Sequence, residues 1–105
     1  MYRQLLFTTE GLNQYISGVI LFDETARQST QSGKRFIDLL KEKNIVPGIK
    51  VDQGIQVLPG NTNGETWTAG LDTLAARAKE YYDMGCRFCK WRAVLKIDEN
   101  GCPSE

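Results

Sequence analysis

The chain has 105 residues, with 13 Lys plus Arg balanced by 13 Asp plus Glu and no His, so it has room for one core of ordinary size but not for a second domain. Without His there is no Ser-His-Asp or Cys-His arrangement, no H-E-x-x-H zinc site and no imidazole titrating near neutral pH. The zero formal net charge argues against nucleic acid as the main partner, because neutralising phosphates needs a basic surplus, and any anion binding must therefore be local.

Met1-Tyr2-Arg3-Gln4 opens the chain without the basic and apolar regions of a secretory signal, which makes a reducing intracellular compartment the expectation. Residues 3–15 place Leu5, Leu6, Leu12 and Tyr15 around Thr8-Thr9-Glu10-Gly11, the pattern of a short helix and a turn. Residues 16–22 are short, mostly apolar and rich in branched side chains, as expected of a first strand buried on both faces. The unbroken apolar run from Val19 to Phe22 is far below the roughly 20 residues of a membrane span, so no membrane partner is expected. Asp23-Glu24 follows that strand where α/β sheets place functional groups, although a solvated acidic pair is the simpler reading.

After a polar stretch, residues 35–43 place Phe36, Ile37, Leu39 and Leu40 at helical spacing. Residues 45–51 form the second predicted strand, despite Pro47-Gly48 within it. Residues 54–68 are rich in Gly, Pro, Asn and Thr and read as a loop. Asn61-Thr62-Asn63-Gly64-Glu65-Thr66 lacks the Gly-Lys-Ser/Thr ending of a P-loop and reads as a surface turn. Leu71, Leu74, Ala75, Ala78, Tyr81 and Tyr82 recur at three or four residues and form the clearest helix, with Gly85 as its cap. Residues 86–97 read as the third strand. Cys86-Arg87-Phe88-Cys89 has metal or redox spacing, but one such pair plus Cys102 gives too few ligands for a structural zinc site. The two cysteines read better as small apolar residues at the start of a buried strand.

Strands alternating with crossovers of about ten or more residues imply parallel βαβ units and an α/β fold. Two helices cannot cover both faces of such a sheet, so the chain reads as an open sheet or as a piece of a larger protein. Along the third strand, Lys90, Arg92 and Lys96 share one face and Cys89, Trp91, Ala93, Leu95 and Ile97 the other. In the second strand Gly48, Lys50 and Asp52 share a face. Two readings fit: a half-exposed sheet whose cations face water, or a buried cationic face where Lys50 approaches Lys90 or Arg92 across about 4.8 Å and invites a phosphate.

The strings Gly18-Val19-Ile20-Leu21-Phe22-Asp23-Glu24-Thr25, Gly48-Ile49-Lys50-Val51-Asp52, Thr62-Asn63-Gly64-Glu65-Thr66, Gly70-Leu71-Asp72 and Lys90-Trp91-Arg92 closely resemble class I fructose-1,6-bisphosphate aldolase, in that family's order and spacing. The resemblance implies a fragment of a (β/α)8 TIM barrel, parallel strands 2 to 4 with their helices, forming a single partial domain over residues 1–105 that is incomplete at both ends. It also implies reversible cleavage of a sugar phosphate, fructose 1,6-bisphosphate, to dihydroxyacetone phosphate and glyceraldehyde 3-phosphate through a lysine Schiff base. No metal or cofactor is implied. The family is commonly homotetrameric, and a cytoplasmic location, with a plastid as the other option, goes with it. Carried over position by position, Lys90 is a catalytic residue near the bond being cleaved, and Lys50, Lys90 and Arg92 bind substrate, the first and last at a phosphate.

Departures accompany the match. Gln53 stands where many relatives carry Lys, and Trp67 and Ala69 interrupt the usual run. A barrel needs roughly 250 residues, and the family's first-strand Asp, fifth-strand glutamates, sixth-strand Schiff-base lysine and Ser-Gly-Gly loop have no counterpart in these residues. The chain by itself is therefore expected to be inactive. The alternative is a non-catalytic module that binds phosphorylated metabolites or a protein partner through its cationic strands.

Overall fold

A computed structural model describes residues 1–104 of the chain. Helix α1 (Tyr2–Thr8) and a 3-10 turn (Leu12–Gln14) lead into strand β1 (Gly18–Leu21), then α2 (Asp23–Ala26), α3 (Phe36–Glu42) and β2 (Val46–Lys50). Strands β3 (Ile55–Val57) and β4 (Thr66–Thr68) precede α4 (Leu74–Met84) and β5 (Phe88–Lys90).

Strands β1, β2 and β5 form a three-stranded sheet in that order, and both pairings are parallel. Strand order equal to chain order, with a helix in each crossover, is the repeating unit of an α/β barrel wall. Pro47 removes one ladder donor from β2, while its carbonyl still accepts the Arg87 amide at 2.8 Å.

The helices lie on one side of this sheet. Leu21 and Ile49 point into that side and bury themselves with Phe36, Ile37 and Leu40 of α3, Tyr81 of α4, and Ile45 and Val51 from the ends of β2. Phe7 of α1 closes the cluster by packing edge-on to Phe36, with ring centroids 5.2 Å apart. Gly85 ends α4 as the sequence predicts. Its φ of +120° suits glycine, and a Cβ there would stand 2.8 Å from Ile37 Cγ2.

The other face has no helix over it. The register aligns Ile20, Gly48 and Phe88 across the three strands and pairs Lys50 with Lys90 one row further on. Ile20, Phe22, Val46 and Phe88 on this side remain exposed, which differs from the expectation of strands buried on both faces. A radius of gyration of 17.5 Å also exceeds the about 13 Å of a compact domain of this length. The described residues form one layer of core and leave the second face of the sheet open.

Four further expectations differ from the structure. The third strand is only Phe88–Lys90, and 91–97 is irregular with Leu95 and Ile97 exposed. Its ladder partner runs out: beyond Val51, which donates to the Lys90 carbonyl at 3.0 Å, β2 turns away. Residues 54–68 contain the antiparallel hairpin β3–β4 rather than only a loop. The polar stretch after β1 begins with α2, and Cys89 is exposed while Cys86 is buried, because β5 is an edge strand.

Candidate active site

Lys50 and Lys90 are the last residues of their strands and exact register partners. In a parallel ladder, partners point to the same face, about 4.8 Å apart. Both ammonium-bearing side chains therefore leave the helix-free face at the carboxyl end of the sheet, where α/β barrels and open α/β sheets place their chemistry. Both residues are partly buried.

The layer beneath them is apolar. Phe88 lies two residues before Lys90 on the same face, and its ring covers Gly48, where a Cβ would come within 2.3 Å of Cζ. Gly18 of β1 also faces that ring, at 3.5 Å. Glycine at these positions lets one aromatic ring lie flat across the sheet and form a floor under the lysine pair.

Asp52 continues β2 past Lys50 and is buried. Its Oδ1 takes the Lys50 ammonium at 2.9 Å and the Gly54 amide at 3.3 Å, while Oδ2 accepts the Arg92 backbone amide at 3.2 Å. Burial pushes the Asp52 carboxyl up, but the Lys50 ammonium and the two amides outweigh it and hold its pKa below the ordinary aspartate range. The Lys50 ammonium also donates to the Asp52 carbonyl at 3.1 Å and lies 5.7 Å from the Phe22 ring centroid. Arg92 itself is exposed and lies beyond β5, so it does not share a strand face with Lys50 and Lys90. What ties it to them is the Asp52 bond to its amide.

A cavity of about 580 Å³ adjoins the site on the helix side of Lys50. It reaches neither Lys90 nor Arg92, and its carboxylates Asp23, Glu24, Asp52 and Glu80 outnumber its cations Arg27, Lys50 and Arg77. That mixture does not suit a polyanion. Its wall is a structural network: Asp23 Oδ1 accepts Tyr81 Oη at 2.8 Å and Arg27 Nε at 2.9 Å, and Arg27 reaches Glu80 at 2.6 Å. Asp23 is thus an exposed acid that also bridges α2 and α4 through Arg27 and Tyr81, and Glu24 is likewise exposed and pairs with Arg3 at 3.4 Å, in keeping with a solvated acidic pair. Arg77 donates to the Val51 and Gly70 carbonyls at 2.9 and 2.6 Å and fastens α4 to the end of β2.

Glu65, expected in a surface turn, is buried. Its carboxylate accepts the Ser104 amide and hydroxyl at 2.6 and 2.7 Å and the Asn61 amide group at 2.5 Å. Lys96 bonds the Asn63 carbonyl in the same loop. The β3–β4 hairpin is thereby latched to the segment following β5. Alternating Ile55-Gln56-Val57 and the β-forming Thr66-Trp67-Thr68 are the signals from which the hairpin was legible. Nothing in the sequence signals that Ser104 closes on Glu65. Among the described residues no group of three or more potential metal ligands converges, and no helix is long and apolar enough to cross a membrane.

Comparison with known proteins agrees with the parallel α/β architecture. The family model for fructose-bisphosphate aldolase class-I matches residues 1–105. Chloroplastic fructose-bisphosphate aldolase 1 of Chlamydomonas reinhardtii is 62% identical over 96 residues, 91% of this chain and 25% of that protein. Cytosolic fructose-bisphosphate aldolase 4 of Arabidopsis thaliana is 62% identical over 103 residues, 98% of this chain and 26% of that protein. The chain superposes with a TM-score of 0.93 and 52% identity on fructose-bisphosphate aldolase from Plasmodium falciparum, solved in complex with TRAP and a small-molecule inhibitor, covering 99% of this chain and 30% of the other. The chain spans about a quarter of the length of the curated relatives it matches. These 105 residues, with their parallel α/β barrel wall and lysine pair, belong to the class I fructose-bisphosphate aldolases.

Proposed function

We propose that the chain is part of a single barrel domain whose complete form reversibly cleaves fructose 1,6-bisphosphate to dihydroxyacetone phosphate and glyceraldehyde 3-phosphate. In this reading Lys90 balances charge on the substrate oxygens next to the breaking bond, and Lys50 and Arg92 hold a phosphate. The observation that carries it is the register pairing of Lys50 with Lys90 at the carboxyl ends of adjacent parallel strands. Lys50 and Lys90 leave strands about 4.8 Å apart on a partly covered face, and with only Lys50 held by a carboxylate, Asp52 at 2.9 Å, among the described contacts, the pair keeps a local positive surplus that a phosphorylated substrate would satisfy. Arg's planar fork suits bidentate phosphate contact and Lys supplies a point charge.

The open second face of the sheet is, in the same reading, the interior of the barrel, which the remaining strands close. The Schiff base forms on a lysine contributed by those strands, so the 105 residues alone do not turn over substrate. The complete enzyme assembles as a homotetramer and works in the cytoplasm or a plastid, in keeping with relatives named for the cytosol and the chloroplast.

The test is to exchange these residues for the matching 103-residue stretch of the Arabidopsis cytosolic relative, giving a complete barrel, and to assay cleavage. Activity is expected in the exchanged barrel and none in the 105-residue chain. Lys90→Met should lower kcat about 100-fold or more, as loss of a group acting on developing charge does. Cleavage by the complete barrel that is indifferent to Lys90→Met would refute the assignment. Binding of the bisphosphate by the soluble 105-residue chain without turnover would favour a metabolite-binding module instead.

A further inference from the structure

Lys50 is held in place by a group that works against its charge. A carboxylate 2.9 Å from a phosphate-binding ammonium weakens the net attraction for any anion. Its presence in a cationic site therefore needs another explanation, and the geometry supplies one. Asp52 is buried where Lys50 is only partly so, and each of its oxygens serves a different strand end. Oδ1 takes the tip of Lys50 from β2; Oδ2 takes the amide of Arg92, one bond after Trp91 and two residues after Lys90. Lys50 folds forward onto the same residue's carbonyl at 3.1 Å, which closes a ring between its ammonium and its own strand. A free lysine tip samples many rotamers, and a segment beyond its ladder partner is unrestrained. Here one side chain restrains both.

We propose that Asp52 is a positioning residue that fixes the Lys50 ammonium and the Lys90-Trp91-Arg92 segment in one geometry, exchanging raw anion attraction for placement of the phosphate. This rests on the assignment of Lys50 and Arg92 to a phosphate made above. The low pKa of Asp52 keeps it charged across the neutral range, so the anchor is permanent rather than switched by pH.

The test uses the complete barrel with Asp52→Asn, Lys50→Met and the double variant. Asp52→Asn keeps the shape and one acceptor oxygen and removes the charge that holds Lys50. KM for the bisphosphate is expected to rise about tenfold in either single variant with kcat little changed, and the double variant is expected to be no worse than Lys50→Met alone, because Asn keeps an oxygen for the Arg92 amide and the loss the two variants share is the Lys50 contact. A second readout does not depend on turnover. Acylation of Lys50 by an N-hydroxysuccinimide ester, followed by mass spectrometry, should quicken several-fold in Asp52→Asn while exposed Lys79 is unchanged. Should Asp52→Asn fail to fold, Asp52→Ser carries the same labelling comparison. Additive KM losses, or a Lys50 labelling rate that ignores position 52, would overturn the proposal. A complete barrel that labels as expected yet cleaves nothing would refute the aldolase reading and leave the anchor standing.

Discussion

The Phe88 ring lies so close over Gly48 that any β-carbon there would meet it at 2.3 to 2.7 Å. Contacts under 3.0 Å require the ring to move. It is exposed in these residues alone, but in a closed barrel the space above it is filled by facing side chains. Gly48→Ala in the complete barrel should therefore cost about 1–3 kcal/mol, the usual range for overpacking. Urea denaturation reads the loss. Restoration by Phe88→Leu in the same chain identifies the ring as the cause; an unchanged midpoint in Gly48→Ala would show that the ring yields freely.

Tyr81 donates to Asp23 from a buried position, and Asp23 is shared with Arg27. The Tyr81 hydrogen bond is the leading reason the Asp23 carboxyl lies below its ordinary range; burial opposes it, and the Arg27 contact adds to the lowering. Tyr81→Phe should destabilise by about 1 kcal/mol, the net worth of one hydrogen bond. It should also raise the Asp23 pKa toward the reference value, as followed by carboxyl carbon NMR. A pKa that stays put would mean that Arg27 alone sets it.

The extent to which the chain was legible from sequence follows from the range of the interactions. The three parallel strands and helices α3 and α4 are marked by local apolar periodicity, and their boundaries shift by only a few residues, except that the third strand stops at Lys90, seven residues short of its expected end. Lys50 and Lys90 could be placed on one face because alternation is a local rule. Arg92 could not: the strand that would carry it ends when β2 turns away, and that turn depends on Asp52 and Arg77 at a distance in sequence. Glu65 looked like a turn residue because its partner Ser104 lies 39 positions away. Counting helices left an open sheet as one of two readings, an argument about covering area, whereas the apolar run of residues 16–22 pointed to burial on both faces, which Ile20 and Phe22 do not show.

Arg77 makes three hydrogen bonds, to the Val51 carbonyl, the Gly70 carbonyl and Thr73 Oγ1. Its planar fork spans them, and a lysine has one donor group to offer in their place. Arg77→Lys should lose most of the contribution despite keeping the charge, with a cost of about 2 kcal/mol when two partly buried carbonyls lose their donor. The expected sign of failure is faster amide exchange at the end of β2. Equal exchange in Arg77→Lys and the parent would leave charge, not geometry, as what matters at this position.

Glu65 gives the hairpin latch a pH dependence of fixed sign. The Ser104 hydroxyl and amide, with the Asn61 amide group, stabilise its ionised form and hold its pKa below the ordinary glutamate value of about 4.3. A depressed folded pKa means that the latch contributes stability above the unfolded pKa and loses it as pH falls through the folded one. At neutral pH the latch is therefore fully closed. Acidification through the lowered folded pKa should protonate Glu65, weaken its acceptance of the Ser104 amide and free the segment after β5 from the hairpin. The Ser104 amide resonance, followed by NMR during an acid titration of the complete barrel, should move with a midpoint below the ordinary glutamate range and should not move in Glu65→Gln. A midpoint at or above that range would show that burial, which opposes ionisation, outweighs the three donors, and that the latch is held by contacts other than this carboxylate.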